Sequence, residues 1–236
     1  EYLENPSGVD SVAPRLQWRL ESNERGARQA AYQILVASSE SLLARGVGDL
    51  WDSGRVDSDA TTQIAYAGKP LGSGRLCFWK VRSWDERGKV SRWSAPAKWS
   101  MGLLRAEDWK AEWISFRDES ALHTNRNALF LPPARHYRKG FTSDKPVRRA
   151  VLYFSGLGLA DMYLNGERVS DGYFGSGWAD YHQRAYYRSH DVTELMKRGD
   201  NCLGAVVADG WYSGYVGYGV LVGLGPNKAG RYFYGK

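Results

Sequence analysis

Four aromatic residues and four glycines lie within the stretch DGWYSGYVGYG, residues 209–219. An aromatic ring can stack on the flat face of a sugar ring, and glycines let the backbone turn tightly enough to hold several rings at one surface. The same rings could instead plug the end of a β-sheet, since large aromatic side chains are common in strands and in cores. The residues of this stretch leave both interpretations open.

Acidic side chains around the stretch are the candidates for acid–base chemistry. Hydrolysis of a glycosidic bond uses two carboxylates, about 6.5–9.5 Å apart in inverting enzymes and about 5–5.5 Å apart in retaining ones. An Asp at the end of a strand is, however, more often a turn or helix-capping residue. We therefore assign no acid or base among these residues, which are Asp180, Asp191, Glu194 and Asp209.

No cofactor is expected from the remaining motifs. The four histidines include no pair at the spacing that would place two ligands on one helix face, and no cysteine lies near them, so a zinc site is not predicted. Calcium would suit a rigid β-sandwich, but no acidic calcium-binding loop is present and no ligand can be assigned. The glycines of residues 215–230 lack the strand–turn–helix context of a dinucleotide-binding loop.

Cys77 and Cys202 lie 125 positions apart in apolar, strand-like surroundings. We expect two buried free thiols rather than a disulfide. The cysteines leave the compartment open, and a periplasmic or secreted location is favoured over the cytoplasm.

The net charge of +6 comes from 32 basic and 26 acidic residues that are interleaved throughout the chain. A dispersed excess of this size is typical of a solvated surface, so we expect no nucleic-acid partner. No apolar run approaches the roughly 20 residues that a membrane-spanning helix needs. We expect no membrane partner either.

Residues 15–101 alternate apolar and polar positions in short runs separated by Gly, Ser, Asp and Pro, which predicts an all-β sandwich. In RLQWRL the period of two places Leu16, Trp18 and Leu20 on one face. SESLLARG is predicted to be a short helix that begins at a Ser cap and ends at a Gly. Trp and Arg side chains of residues 78–99 could interleave in a cation–π ladder along a sheet, as in fibronectin type III modules.

A charged junction follows at residues 102–116, with a helical start at RAEDW and a new strand at AEWISF, and then a polar loop at residues 117–133. A second alternating pattern begins at Ala134. Its Asn165–Gly166 pair predicts a tight hairpin, because Asn and Gly tolerate positive φ. The order of strands after this point predicts a jelly-roll type β-sandwich. We place the two domains at residues 1–104 and 105–236.

Several motifs in this order resemble the bacterial α-L-rhamnosidases. The N-terminal segment and the segments RQAAYQILVASS and GDLWDSGRVDSD are similar to that family's fibronectin III/immunoglobulin-like module. Residues 159–217 are similar to its rhamnosidase N-terminal domain, a galactose-binding-like jelly roll. The resemblance covers nearly the whole chain.

The resemblance implies an accessory role. Members of the family continue into further β-domains and an (α/α)₆ barrel, which carries the acid and base of an inverting hydrolysis. This chain shows no repeated amphipathic helices of that kind, so we expect a second domain truncated at its C-terminal end and a chain that is inactive alone. Its expected partners are a rhamnose-containing carbohydrate and the catalytic domain of the same polypeptide. The alternatives are a free-standing carbohydrate-binding module and a purely structural scaffold.

Seven residues are the candidates for contact with substrate or with a neighbouring domain. Trp211 and Tyr212 suit either contact equally, and we expect them to be at least partly exposed where the chain leaves the last apolar strand in a glycine-rich loop. Trp178 is expected to lie in the core. The full set is Trp178, Asp180, Tyr181, Asp209, Trp211, Tyr212 and Tyr215.

Overall fold

The computed structural model describes residues 3–115, 133–170, 172–175 and 177–213. Contacts between Cα atoms divide the chain into two compact units, Glu1–Glu112 and Trp113–Lys236. Both units are built from antiparallel strand pairs in the part of the chain that the structure describes. The chain is therefore all-β, as its alternating pattern predicts.

The first unit contains a five-stranded and a two-stranded sheet among its described residues. The elements in chain order are β1 (Arg15–Leu16), β2 (Gln29–Ala37), α1 (Glu40–Ala44), β3 (Trp51–Asp52), β4 (Val56–Asp57), β5 (Ile64–Ala65), β6 (Leu76–Asp85) and β7 (Ala97–Ser100). A 3₁₀ turn, Ala106–Asp108, follows. The larger sheet has the order β3-β2-β6-β7, with β4 also paired to β2, and the smaller sheet pairs β1 with β5.

The core of the first unit lies between these two sheets. Ile34 and Val36 on β2 and Cys77 on β6 are fully buried, and Leu16 reaches the same cluster from the smaller sheet. The alternation of the two long strands places these side chains on one face. This arrangement is the immunoglobulin-like sandwich that the sequence predicts.

The structure corrects one predicted element of the first unit and confirms another. The strand predicted for RLQWRL is only the two residues of β1, and Leu20 is 47% exposed instead of sharing the buried face of Leu16. The short helix is confirmed, since the Ser39 side chain accepts a hydrogen bond from the Leu42 amide (3.3 Å) and Gly46 follows with φ of 78°. The cap supplies the acceptor that the first turn of α1 would otherwise lack.

A cation–π ladder crosses the exposed face of the larger sheet, as predicted. The Arg55 guanidinium lies 5.3 Å from the centre of the Trp84 ring, and that of Arg82 lies 5.1 Å from Trp84 and 4.7 Å from Trp93. The Lys80 ammonium lies 5.0 Å from Trp93. Each ring therefore makes cation–π contacts with two cations, and these contacts stabilise the folded sheet.

The second unit contains a four-stranded sheet in the order β11-β10-β13-β8 and a two-stranded sheet that pairs β12 with β9, among its described residues. Its fold class is the jelly-roll type that the sequence predicts. The elements are β8 (Arg135–Ser143), β9 (Val151–Ser155), β10 (Leu159–Leu164), β11 (Glu167–Arg168), β12 (Tyr187–Asp191), β13 (Gly199–Ala208) and α2 (Gly210–Ser213). A 3₁₀ turn, Thr193–Leu195, lies between β12 and β13.

The predicted Asn-Gly hairpin joins β10 to β11. Asn165 and Gly166 have φ of 56° and 91°, and the flanking residues Leu164 and Glu167 pair across the turn. The Asn165 side chain also donates to Asn201 Oδ1 (2.8 Å) on β13. Asn201 is 4% exposed and additionally accepts from the Lys197 amide (2.9 Å) and donates to the Lys197 and Gly199 carbonyls, both at 2.8 Å.

Both cysteines are free thiols. Cys77 is fully buried, and burial raises its pKa to about 12. Cys202 on β13 is only partly buried, where the sequence predicts a buried thiol.

The junction differs from the sequence prediction. The helical start is present as the 3₁₀ turn of Ala106–Asp108, but residues 111–115 form no strand, and Trp113 is 64% exposed. Alternation over so short a run is a weak indication of a strand when no partner strand lies beside it.

The domain boundary at residue 104 stays a prediction, which limited proteolysis can test. We expect the first cuts between Leu104 and Trp109 or in residues 117–133, because exposed linkers are cleaved before packed sheets. Mass spectrometry of the early fragments gives the sites. Early cleavage inside β6 would contradict this boundary.

Candidate functional site: an aromatic cluster at one end of the second unit

The ends of four strands meet at one end of the second unit. Leu159, the first residue of β10, pairs with Ala208, the last of β13, and Ser155, the last of β9, pairs with Tyr187, the first of β12. The connection from β9 to β10 is only three residues long, so these two pairs lie close together. Segments that leave these strand ends therefore share one surface.

The helix α2 is held against this end by two glycines. A Cβ atom on Gly158 (φ 98°) would lie 2.3 Å from the Ala208 carbonyl oxygen, and one on Gly210 (φ 48°) would lie 2.6 Å from the Leu159 side chain. Only glycine permits both this backbone conformation and this close approach. The chain therefore turns directly from β13 into one helical turn that carries Trp211 and Tyr212, where the sequence predicts a loop.

The segment between β11 and β12 reaches the same end and is tied to the sheets by two arginines. Arg168 donates to Asp161 Oδ1 on β10 (3.0 Å), and its guanidinium lies 3.9 Å from the centre of the Tyr173 ring. Arg188 on β12 donates to the Gly175 carbonyl (2.6 Å). These contacts hold the segment that contains Trp178 and Tyr181.

Trp178 and Tyr181 pair with the two rings of α2, and we call these four residues the aromatic cluster. The Trp178 and Trp211 rings are nearly parallel, with an angle of 7° between them and 6.2 Å between their centres. The Tyr181 and Tyr212 rings meet edge to face, with 5.3 Å between their centres. Both geometries are favourable for aromatic pairs. The cluster unites residues from two segments that are about 30 positions apart in the sequence.

Trp178 is a correction to the sequence analysis. We expected it in the core, but 60% of its surface is exposed, and it covers Trp211 from outside. Trp211 and Tyr212 are partly buried, which agrees with the expectation of partial exposure. Tyr215 lies outside the described residues.

The two candidate aspartates of the cluster region have structural partners. Asp209 accepts from Arg135 Nη1 (3.3 Å), an ion pair that joins the end of β13 to the start of β8. The Asp180 carboxylate accepts from the His182 amide (3.1 Å) and from Gln183 Nε2 (2.7 Å) within its own turn. Such bonds are those of turn and strand-end residues.

Asp191 is a turn residue as well. It accepts from the Thr193 amide (3.0 Å) at the start of the 3₁₀ turn. Among the described residues, no group of three or more His, Cys, Asp or Glu side chains lies close enough together to hold a metal ion. No helix in the part of the chain that the structure describes is long and apolar enough to cross a membrane.

Three exposed rings of the same segment were missed by the sequence analysis. Tyr173 is 73% exposed, and Phe174 and Tyr186 are also exposed. The sequence signal that could have identified them is the high density of aromatic residues next to glycines between β11 and β12. Together with Trp178 they place four exposed aromatic side chains in the segment between β11 and β12, which suits contact with another molecule or domain.

Two family models match the chain. Residues 1–105 match the model described as "Rha78A-like, N-terminal immunoglobulin domain", and residues 145–234 match "Alpha-L-rhamnosidase N-terminal domain". The fold and these matches define a tandem of accessory β-sandwiches. The chain matches the N-terminal region of α-L-rhamnosidases.

Named relatives agree with this assignment. The chain is 39% identical over 220 residues to an α-L-rhamnosidase of Formosa agariphila and 40% identical over 220 residues to one of Alteromonas sp. (strain LOR). Each alignment covers 92% of this chain, but only 23% and 24% of the relatives. The solved α-L-rhamnosidase of Dictyoglumus thermophilum superposes with a TM-score of 0.82 at 35% identity, over 89% of this chain and 24% of that one. The chain thus spans about a quarter of the length of these relatives.

Proposed function

We propose that this chain is the accessory N-terminal region of an enzyme that hydrolyses terminal α-L-rhamnose from glycosides or polysaccharides. Its role is to support and orient the catalytic domain of the same polypeptide. The observation that carries the proposal is the exposed aromatic surface at the end of the second unit where α2 follows β13.

The position of this surface favours the catalytic domain as its occupant. Large exposed rings gathered in one segment are seldom left bare, because covering them releases ordered water. The relatives extend well beyond the part that matches this chain, and the chain leaves β13 next to these rings. The polypeptide that follows can therefore reach the surface at little cost in loop entropy.

Contact with a rhamnose-containing carbohydrate is the second candidate. The observation that favours it is the exposed Trp178 ring, whose orientation is fixed by its near-parallel contact with Trp211. A fixed, accessible indole can stack on the face of a sugar ring. Binding of L-rhamnose to the chain, seen as a shift in tryptophan fluorescence and lost in Trp178→Ala, would support this candidate.

A comparison of the chain with its parent enzyme tests the proposal. In the chain alone, Trp211→Ala is expected to lower the free energy of unfolding by well under the roughly 3–5 kcal/mol of a core tryptophan, because its outer neighbour Trp178 is exposed. In the parent enzyme we expect the Trp178→Ala and Trp211→Ala variants to lose more stability than in the chain alone. We also expect them to lose activity on an aryl rhamnoside. Chemical denaturation and turnover measure both.

Trp113→Ala is the matched control, since it removes an exposed tryptophan outside the aromatic cluster. Equal losses in the chain and in the parent enzyme would contradict docking of the catalytic domain. A large loss of stability for Trp211→Ala in the chain alone would identify the aromatic cluster as a core plug.

A further inference from the structure

A groove of about 500 Å³ lies in the first unit, whereas the aromatic cluster belongs to the second. It is lined by the N-terminal segment, by β1 and its neighbours, and by β7 with the residues just before it. Three tryptophans line it: Trp99, which is buried, and Trp18 and Trp79, which are partly buried and so keep part of each ring accessible. The groove thus has an aromatic wall of the kind that binds flat, weakly polar faces.

Small side chains also line the groove. Ala95, Pro96 and Ala97 line it where larger residues would fill the space. The tryptophan wall is fixed in place. The Trp18 ring meets Tyr32 edge to face with 5.1 Å between centres, and its Nε1 donates to Gln29 Oε1 at 3.0 Å. A ligand would therefore meet a wall that is already ordered, which lowers the entropy cost of binding.

The charged residues of the groove are mostly cationic. Arg15, Arg19 and Lys98 line it and have exposed side chains, and Glu4 is the acidic residue among those that line it. An arginine binds a carboxylate with two parallel hydrogen bonds, and a lysine adds a point charge. A ligand that fits must combine a flat face of C–H groups with a negative charge.

We infer that this groove binds an acidic carbohydrate, with a sugar ring against Trp18 and Trp79 and a uronate carboxylate at the cationic side chains. An acidic peptide would satisfy the charges but leave the flat tryptophan wall without a matching face. A neutral sugar would satisfy the wall but not the charges. The inference goes beyond the accessory role proposed for the second unit and does not depend on it.

Isothermal titration of the chain with trigalacturonic acid and with a hyaluronan tetrasaccharide tests the inference, with maltotriose as the neutral sugar and triglutamate as the acidic peptide. We expect at least one uronate oligosaccharide to bind at least about tenfold more tightly than maltotriose and triglutamate. This affinity should fall when the salt concentration is raised, because exposed ion pairs are screened. Tryptophan fluorescence should change on binding.

Charge-reversal variants locate the site. Arg19→Glu and Lys98→Glu should each weaken binding about tenfold, and both residues are exposed, so the fold should persist. Arg45→Glu makes the same charge change at an exposed position that does not line the groove and should leave binding unchanged. The Trp178→Ala, Trp211→Ala double variant should also bind normally, which separates this inference from the proposed function.

Three results would overturn the inference. The first is that neither uronate oligosaccharide binds at 10 mM ligand (about the weakest affinity of interest). The second is that maltotriose or triglutamate binds as tightly as the uronate oligosaccharides. The third is that Arg45→Glu weakens binding as much as Arg19→Glu and Lys98→Glu do.

Discussion

Replacing Asn201 by alanine is expected to lower the free energy of unfolding of the second unit by about 3–5 kcal/mol. The side chain is 4% exposed and bonds to the backbone of Lys197 and Gly199 and to the side chain of Asn165. Alanine would remove the four hydrogen bonds of this side chain, each of which contributes about 0.5–1.5 kcal/mol. Chemical denaturation followed by far-ultraviolet circular dichroism measures the loss.

The neighbouring Asp200 provides a matched control on the same strand. Its side chain is exposed and bonds only to Thr142 Oγ1 (3.0 Å) among the bonds that the structure gives it. Asp200→Ala should therefore cost less than about 1 kcal/mol. If Asn201→Ala cost no more than Asp200→Ala, the buried network would not stabilise the hairpin between β10 and β11.

Replacing Gly158 by alanine is expected to destabilise the second unit by about 3 kcal/mol or more. The positive φ of 98° is unfavourable for alanine, and the new Cβ would lie 2.3 Å from the Ala208 carbonyl oxygen. Relief of this overlap requires the start of α2 to move. We therefore also expect a changed near-ultraviolet circular dichroism spectrum, since the contact between Trp178 and Trp211 depends on the position of α2.

Gly166→Ala separates backbone strain from overlap. Gly166 has a similar φ of 91°, but a Cβ there would meet no atom within 4 Å. Its replacement should cost about 1–2 kcal/mol, the strain alone. Equal losses and an unchanged near-ultraviolet spectrum in both variants would show that close packing at Gly158 does not position the aromatic cluster.

Local features of the sequence predicted much of the fold because their causes are local. The alternation of β2 and β6, the Ser39 cap and the Asn165–Gly166 turn depend on residues a few positions apart, and all three are confirmed. The cation–π ladder was predictable as well, since Trp84 and Arg82 lie two positions apart on one face of β6.

The site was predicted less well because its geometry depends on distant residues. Tryptophan is mostly buried on average, which favours a core position for Trp178, but its environment is set by α2, more than 30 positions later. The turn into α2 depends on Gly158 and Gly210 meeting across two strand ends, which no local pattern reveals. Residues 111–115 of the strand predicted for AEWISF (residues 111–116) pair with no strand among the described residues.

Turnover of an aryl α-L-rhamnoside by the purified chain tests the accessory role that we propose. We expect no turnover above the uncatalysed rate, because the family resemblance implies that the acid and base lie in a catalytic barrel, and the chain matches only about a quarter of its relatives' length. Asp180 and Asp209 make the contacts of turn and strand-end residues. Turnover that persists through purification to homogeneity, and that disappears when one of these aspartates is replaced by asparagine, would contradict the accessory role.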